Sequence, residues 1–402
     1  MHLSDDIDQL TMATAEPVLE RVVRGFAHSM PDPLMVSRLA RTLASSGDQL
    51  TSHPLLCVDV PSTGAPSSLS TLLTPLYCVA FGAAVPKLGV PGRPAGGIDC
   101  LAQLSGYRTS LSASEISAVL HECGYAHFLA QDAIAPLDGK LFSLRRKLGY
   151  QDVPSLVVAS ILAKKIAVGV KRMVLDIRVA PWGNFGTDVE TAQRNAKIFR
   201  QVANEVGIQA FTVLTDARYP YQPFIGRAEA LVALHRVVSG TDTDLLAFHS
   251  EVCRTIASLA VGTNTPLPQS NSQALRLILH AHLKAQGSSA AAFDELVERT
   301  TAAHSRVLCA ESNGFFAPNL GKIRAELTAA QEVARSGSRP FPDPIGVIFL
   351  KKSGVWVNRG DPICSLRADA PAPAQFIAAL EALLVAVRDR PFGLGVESAD
   401  DE

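Results

Sequence analysis

The sequence predicts an α/β fold: a mostly parallel sheet with helices between its strands, a helical segment in front of it and an α+β region behind. Two patterns carry this. Apolar runs of strand length alternate with helical patterns between about residues 55 and 238, which winds a parallel sheet and places ligands at its strand C-terminal ends. After residue 312 the pattern changes to short β-like runs separated by glycine-containing turns. The chain has 402 residues, 47% hydrophobic and 19% charged, enough apolar material for about two or three domains and no bias toward disorder.

Residues 1–50 read as helices. Val18, Leu19, Val22, Val23 and Phe26 recur at helical spacing, as do Val36, Leu39 and Leu43, and SSGDQL at 45–50 supplies a stop. So short a helical hairpin must pack on a later segment, and 136–165 is the natural partner. Leu55–Val60 reads as a buried parallel strand, Pro61–Ser68 as a small-residue loop and 69–82 as a helix. Strand, loop, helix is the arrangement that seats an anion on helix N-terminal amides. It is equally an ordinary turn, and Pro61 and Pro66 remove two donors from it. A second loop, Gly89–Gly97, carries Arg93, placed either to meet an anion or to sit in solvent. Helix 114–122, strand 126–129, strand Arg172–Val179, helix 188–206, strand Gln209–Asp216 and helix 226–238 follow. Asp59, Asp176 and Asp216 fall at strand ends, where a carboxylate either caps the next loop or does chemistry. Residues 240–300 read as helical, 346–350 and 355–357 as strands, 373–387 as a helix, and the acidic tail 397–402 as disordered.

A net charge of −1 leaves no basic face for nucleic acid. Seven singly scattered cysteines without a CxxC read as reduced thiols, which points to the cytoplasm. The acidic start MHLSDDIDQL is not a signal peptide, and the absence of 18 uninterrupted apolar residues excludes a membrane span. No metal site or bound cofactor is expected.

The segment PLDGKLFSLRRKLGYQDVPSLVVASILAKK, Pro136–Lys165, is the most informative. If 155–166 is a helix, Ser160 and Lys164 share a face at i and i+4. With Arg145 from the preceding segment they make a donor-rich pocket for a planar ligand bearing carbonyls. The same spacing also describes an amphipathic helix whose basic end the helix dipole favours.

Ala135–Arg145 and Val153–Lys165 stand in one order with SSGDQL, Val58-Asp59, Ser62-Thr63-Gly64, Val85-Pro86-Lys87, Gly96–Asp99, Val174-Leu175-Asp176, Leu214-Thr215-Asp216 and Asp343–Val347. That order resembles the thymidine phosphorylase and pyrimidine-nucleoside phosphorylase family, whose patterns read LAPxDxKLxxLR and SIPxxxxSIxAKKxAxG. The resemblance covers nearly the whole chain. It implies a nucleoside phosphorylase type II-like architecture: a small helical lobe (1–52 plus 137–167), a larger mostly parallel α/β lobe (53–136 plus 168–310) and a C-terminal α+β domain (311–402). It also implies lobes that close over a cleft and a homodimer formed through the helical lobe. The implied activity is that of a glycosyltransferase, a pentosyltransferase acting at the N-glycosidic bond of a pyrimidine nucleoside or nucleotide. Arg145, Ser160 and Lys164 would hold the base, with Arg145 and Lys164 stabilising the charge that develops on it. The acceptor side would comprise Ser62, Thr63, Ser67, Ser68, Lys87 and Arg93, with phosphate as co-substrate.

The departures fall on the acceptor side. The family loop D-K-H-S-T-G-G-V-G-D is Asp59-Val60-Pro61-Ser62-Thr63-Gly64-Ala65-Pro66-Ser67-Ser68 here, so a lysine has become Val60 and a histidine Pro61. The second loop, Lys87–Asp99, is two residues shorter, and the glycine loop V-G-S-G-A-F is Val179-Ala180-Pro181-Trp182-Gly183-Asn184. A glutamate that belongs to a potassium site in some members falls at Ala230, with Glu229 one position earlier. None of the ten histidines takes the family's active-site position, and His127 reads as a core residue. These changes keep three alternatives open: a phosphate-independent hydrolase, a base or glycosyl transferase, and a non-catalytic pyrimidine binder.

Overall fold

A computed structural model describes the chain apart from residues 1–2, 30–31, 51–52, 64–68, 93, 95, 130–132, 219–221, 242–243, 264–271, 305, 337–339, 370–373, 386 and 389–402. The acidic tail, Ser67, Ser68 and Arg93 therefore lie outside the described residues.

Helices α1 (Leu3–Asp8), α2 (Glu16–His28) and α3 (Pro33–Ala44) open the chain. They bury the side that the spacing predicts: Leu19, Val22, Val23 and Phe26 from α2, and Val36, Leu39 and Leu43 from α3. Helix α3 starts where its chemistry asks, with Pro33 in the first turn and the Asp32 side chain accepting the Leu34 N–H at 3.0 Å. The α/β portion runs β1 (Val58–Asp59), α4 (Ser70–Ala80), β2 (Val85–Gly89), α5 (Gly97–Leu101), α6 (Ala113–Cys123) and β3 (Tyr125–Leu129). Helices α7 (Pro136–Leu148) and α8 (Pro154–Ala167) follow, then β4 (Arg172–Val179), α9 (Val189–Glu205) and β5 (Gln209–Asp216). Next come β6 (Phe224–Ile225), α10 (Arg227–Val238), α11 (Asp244–Val261), α12 (Ser272–Ala285) and α13 (Ala290–Ala303). The C-terminal part is β7 (Arg306–Cys309), β8 (Gly314–Phe316), α14 (Leu320–Val333), β9 (Ile345–Phe349), β10 (Trp356–Val357), β11 (Pro362–Ala368), α15 (Ala374–Leu384) and β12 (Val387–Arg388).

The first helices rest where the sequence required a partner. Leu39 and Leu43 of α3 share one buried cluster with Leu137, Leu141 and Leu144 of α7 and Leu156, Ala159 and Leu162 of α8. That cluster continues without a break into Phe128, Leu175 and Phe199 of the α/β portion. The Pro-Leu-Asp run at 136–138 reads as a turn, yet it is the first turn of α7. Proline is favoured there because the missing N–H has no partner in any case.

Strands β2 and β3 pair in parallel, as do β1 with β4 and β4 with β5, and an isolated parallel bridge from Cys57 to Ala84 joins β1 to β2. The order across the sheet is therefore β3-β2-β1-β4-β5. It runs outward in one direction through β3 and then restarts beside β1. This reversal between β1 and β4 opens a crevice at the strand C-terminal ends, the position where open α/β sheets bind ligands. A bridge from Ser62 to Asp176 marks it.

Two antiparallel sheets, β6-β9-β11-β7 and β10-β8-β12, form the C-terminal part with α14 and α15 packed around Phe316, Ile323, Val347, Phe349 and Leu380. Neither α14 nor β11 was read from the sequence. Strand β6 precedes α10 in the chain, so this sheet is stitched into the α/β portion. At the join, Glu229 receives Arg367 Nε at 2.6 Å and Nη2 at 3.1 Å, and stands 2.9 Å from His304 Nε2. Arg367 also reaches Asp343 at 2.6 Å. A Cβ on Gly346 would lie 1.9–2.1 Å from the pinned Glu229 carboxyl group. Gly346→Ala is accordingly expected to destabilise the protein by ~3 kcal/mol, as an overpacked core does, read as a fall in thermal midpoint.

Among the described residues no helix is long and apolar enough to cross a membrane. All seven cysteines are free thiols.

Candidate active site

Helices α7 and α8 lie side by side, and the predicted base-binding residues line their seam. Leu156, Ser160 and Lys164 occupy successive turns of α8, and Asp138 and Arg145 stand two turns apart on α7. The Lys164 ammonium donates to Ser160 Oγ at 2.8 Å, to the Ser160 carbonyl at 2.9 Å and to the Asp138 carboxylate. These three bonds account for its three protons. Its side chain is 12% exposed, so the cation is sheltered but reachable. Ser160 and Lys164 are thus brought together, and Asp138, which was not singled out in the sequence, is the counter-charge that holds the lysine.

Arg145 has a different neighbourhood. Its Nε donates to the Tyr150 carbonyl at 3.3 Å, Nη1 to that of Leu156 at 3.1 Å and Nη2 to that of Gln151 at 2.5 Å. The guanidinium ties down the α7–α8 connection with three of its five N–H bonds, which leaves two for other partners. Burial lowers its pKa, and Asp138 offsets part of that loss. Its bond to the Leu156 carbonyl sets it one helical turn from Ser160.

The loop after β1 rests on buried ions. Asp59 receives Lys87 Nζ at 2.8 Å on one carboxylate oxygen, and Lys165 Nζ lies 2.5 Å from the other. Lys87 also donates to the Val60 carbonyl at 3.0 Å, so it holds the backbone of the loop from beneath. Burial alone would raise the Asp59 carboxyl, but the Lys165 and Lys87 ammonium groups overcome it and hold it well below the usual carboxylate range. The Thr63 amide donates to the Asp176 carbonyl at 3.1 Å, and Thr63 Oγ1 accepts the Arg178 amide at 2.9 Å. Arg178 folds back onto Asp176 at 2.7 Å and reaches Ser70 Oγ, in the first turn of α4, at 2.8 Å. Thr215 Oγ1 donates to Asp176 at 2.7 Å. Ser62 and Thr63 therefore stand at the β1/β4 reversal, while Lys87 lies below the loop.

The strand-end carboxylates divide by environment. Asp59 and Asp176 are buried counter-ions. Asp216 is half exposed, chelated by Arg218 and bonded to the Arg218 amide at 3.0 Å, so it caps its own loop. His127 is buried with Nδ1 2.9 Å from the Tyr125 hydroxyl, and burial, then Lys87, hold it neutral well below its usual range. Ala230 is buried and apolar, and both Glu229 oxygens are committed to Arg367 and His304. Among the described residues no group of three or more histidine, cysteine or acidic side chains is arranged to hold a metal ion. The second loop is fastened from both sides: the Gly92 amide donates to Asp99 at 2.8 Å, and Gln331 Nε2 to the Pro94 carbonyl at 3.0 Å. A cavity of about 550 Å³ opens elsewhere, between α13 and the 340–344 segment, and none of the predicted site residues lines it.

The thymidine phosphorylase of Sinorhizobium fredii is 29% identical over 360 residues, which span 84% of this chain and 77% of that protein. The Mycobacterium tuberculosis thymidine phosphorylase is 28% identical over 347 residues, 84% of this chain and 79% of that one. The pyrimidine-nucleoside phosphorylase of Staphylococcus haemolyticus is 26% identical over 352 residues, 82% and 79% of the two chains. This chain resembles the thymidine phosphorylases. No family model matches it. Among solved structures, anthranilate phosphoribosyltransferase from Saccharomyces cerevisiae in complex with PRPP and Mg superposes with a TM-score of 0.47 at 13% identity, over 75% of this chain and 91% of that one.

The α7–α8 seam and the β1 loop are chemically unequal. The α7–α8 seam offers an accessible cation and a hydroxyl. Among its described residues the β1 loop offers the hydroxyls of Ser62 and Thr63 above a buried cationic cluster, and Val60 and Pro61 contribute no polar side chain there.

Proposed function

We propose that the protein is a pentosyltransferase that cleaves the N-glycosidic bond of a pyrimidine nucleoside or nucleotide. The Lys164 ammonium carries this reading: it sits on the α7–α8 seam beside Ser160, held at 2.8 and 2.9 Å and charge-balanced by Asp138. The base would lie against Ser160 and Lys164, with the free N–H bonds of Arg145 one turn away. As the glycosidic bond lengthens, its electron pair passes to the base ring and spreads onto the carbonyl oxygens. A fixed ammonium at such an oxygen stabilises the transition state more than the neutral nucleoside, and one donor of this kind is worth about 10²–10³ in rate. To take up a carbonyl, Lys164 exchanges its bond to the Ser160 carbonyl, which keeps its helical partner. The sugar carbon, left with oxocarbenium character, is attacked from the Ser62–Thr63 side. Phosphate is the acceptor expected from the relatives, with no other cofactor. The protein is read as a cytoplasmic homodimer that pairs through its helical lobe, where Met12 and Leu34 are exposed.

The test is incubation with thymidine, uridine and cytidine, each with and without phosphate, followed by chromatography of the free base. Base release that requires phosphate is the expected result. Release without phosphate makes the protein a hydrolase or a transferase to another acceptor. Calorimetric binding of the base without release makes it a binder and overturns the enzymatic reading.

A further inference from the structure

Helix α8 ends in two adjacent lysines that turn to different carboxylates. Lys164 turns to Asp138 and Ser160 on the seam, and Lys165 turns to Asp59 beneath the β1 loop. Lys165, Asp59 and Lys87 have side chains 4%, 1% and 6% exposed, so two ammonium groups share one carboxylate inside the protein. Among the described residues no other carboxylate is bonded to either lysine. The nearby titratable side chains add no negative charge: burial keeps His127 neutral, Cys78 a thiol and Tyr125 a phenol. The neighbouring Arg178–Asp176 pair is balanced in itself. With both lysines protonated the cluster carries a net charge of about +1, which is costly inside a protein unless something negative sits close by, and burial accordingly lowers the Lys165 pKa while Asp59 works against that loss.

From Asp59 the chain runs through Val60 and Pro61 to Ser62, a reach of about 10 Å at most. Lys87 holds this stretch through the Val60 carbonyl, and Lys165 holds it through Asp59. We propose that Lys165 is a positioning residue for an anionic acceptor: it braces the Asp59–Ser62 stretch from below and supplies the surplus positive charge that Val60 no longer provides. An inorganic phosphate dianion is the class of ligand this favours, since a compact double charge gains most from a fixed cation in a dry surrounding. The inference rests on reading the Ser62–Thr63 loop as the acceptor side. It adds that α8 links the two halves, since one helix end carries both the base-facing and the acceptor-facing lysine.

Lys165→Met is the informative variant, because it leaves Lys87 and Asp59 as a balanced pair and keeps the length of the side chain. Lys165→Arg keeps the charge. Phosphate and thymine affinities are measured separately by calorimetry on wild type and both variants. The expected result is a loss of about tenfold or more in phosphate affinity for Lys165→Met, with thymine affinity unchanged within about twofold and most phosphate binding restored in Lys165→Arg. Equal phosphate affinity in wild type and Lys165→Met overturns the inference, and so does an equal fall in both affinities, which marks a purely structural residue. Absence of phosphate binding to all three proteins also overturns it, even where thymine still binds. Absence of thymine binding to the wild type counts instead against the base pocket, and the phosphate comparison still decides the role of Lys165.

Discussion

Lys164→Met is expected to slow nucleoside cleavage by about 10³-fold, the effect of removing a cation from the atom where negative charge develops. The same substitution leaves the Asp138 carboxylate, whose side chain is 5% exposed, without its cation. A loss of stability therefore accompanies the loss of rate and needs to be separated from it. The double variant Asp138→Asn/Lys164→Met removes both charges and is expected to recover most of the thermal midpoint but none of the activity. If the double variant recovers activity as well, Lys164 acts only through folding and the base pocket lies elsewhere. Arg145→Ala provides the contrast. Its three bonds to the carbonyls of Tyr150, Gln151 and Leu156 make it a brace of the α7–α8 connection. Its loss therefore lowers stability and base affinity together, because the seam itself loosens. Arg145→Lys does not rescue it, since a point ammonium cannot span three carbonyls as a planar fork does.

The parts of the fold that were legible are those in which local pattern and tertiary environment agree. Strands β4 and β5 are legible at the bounds they occupy, because Met173, Val174, Leu175 and Ile177 mark the buried β4, and Ala210, Phe211, Val213 and Leu214 mark the half-exposed edge strand β5. The helical periodicity of 16–28 and 33–44 tells where those faces are buried, and the i, i+4 spacing of Ser160 and Lys164 brings them to one helix face. What was missed is mostly charge buried against a distant partner. Strand β11 carries Arg367 in its interior, which breaks the apolar run. Glu229, 138 positions earlier in the chain, makes it a core residue together with Asp343. Lys87 does the same to β2, and its partner Asp59 lies 28 positions upstream. Asp138 and Lys165 stood inside recognisable patterns, but pattern does not say which way a side chain turns. The direction follows from which helix neighbours which strand, and that is a property of the assembled sheet order. For Arg145 the pattern identified the residue, and the geometry added carbonyl partners within its own segment that spacing cannot reveal.

Asp59→Asn is expected to have the largest effect on stability, about 3–5 kcal/mol, because it leaves two buried ammonium groups facing each other without a counter-charge. In a chain of this size the readout is the thermal midpoint, with a fall of about 4–6 °C, since a single unfolding free energy is not defined for a multi-part protein. Lys165→Met added to Asp59→Asn removes one of the two stranded cations and is expected to restore roughly half of the loss. A pH series gives an independent check with a definite sign. The Asp59 carboxyl group titrates below its ordinary value of 3.8 in the folded state, so the unfolded chain binds the proton first as the pH falls. Its contribution is complete above the unfolded value of about 3.9 and erodes as the pH drops from there toward the depressed folded value. Wild type is therefore expected to lose stability more steeply than Asp59→Asn below about pH 4.5, so that the gap between their midpoints narrows with acid. A gap that stays constant down to pH 3 would place the stabilising charge on a group other than Asp59.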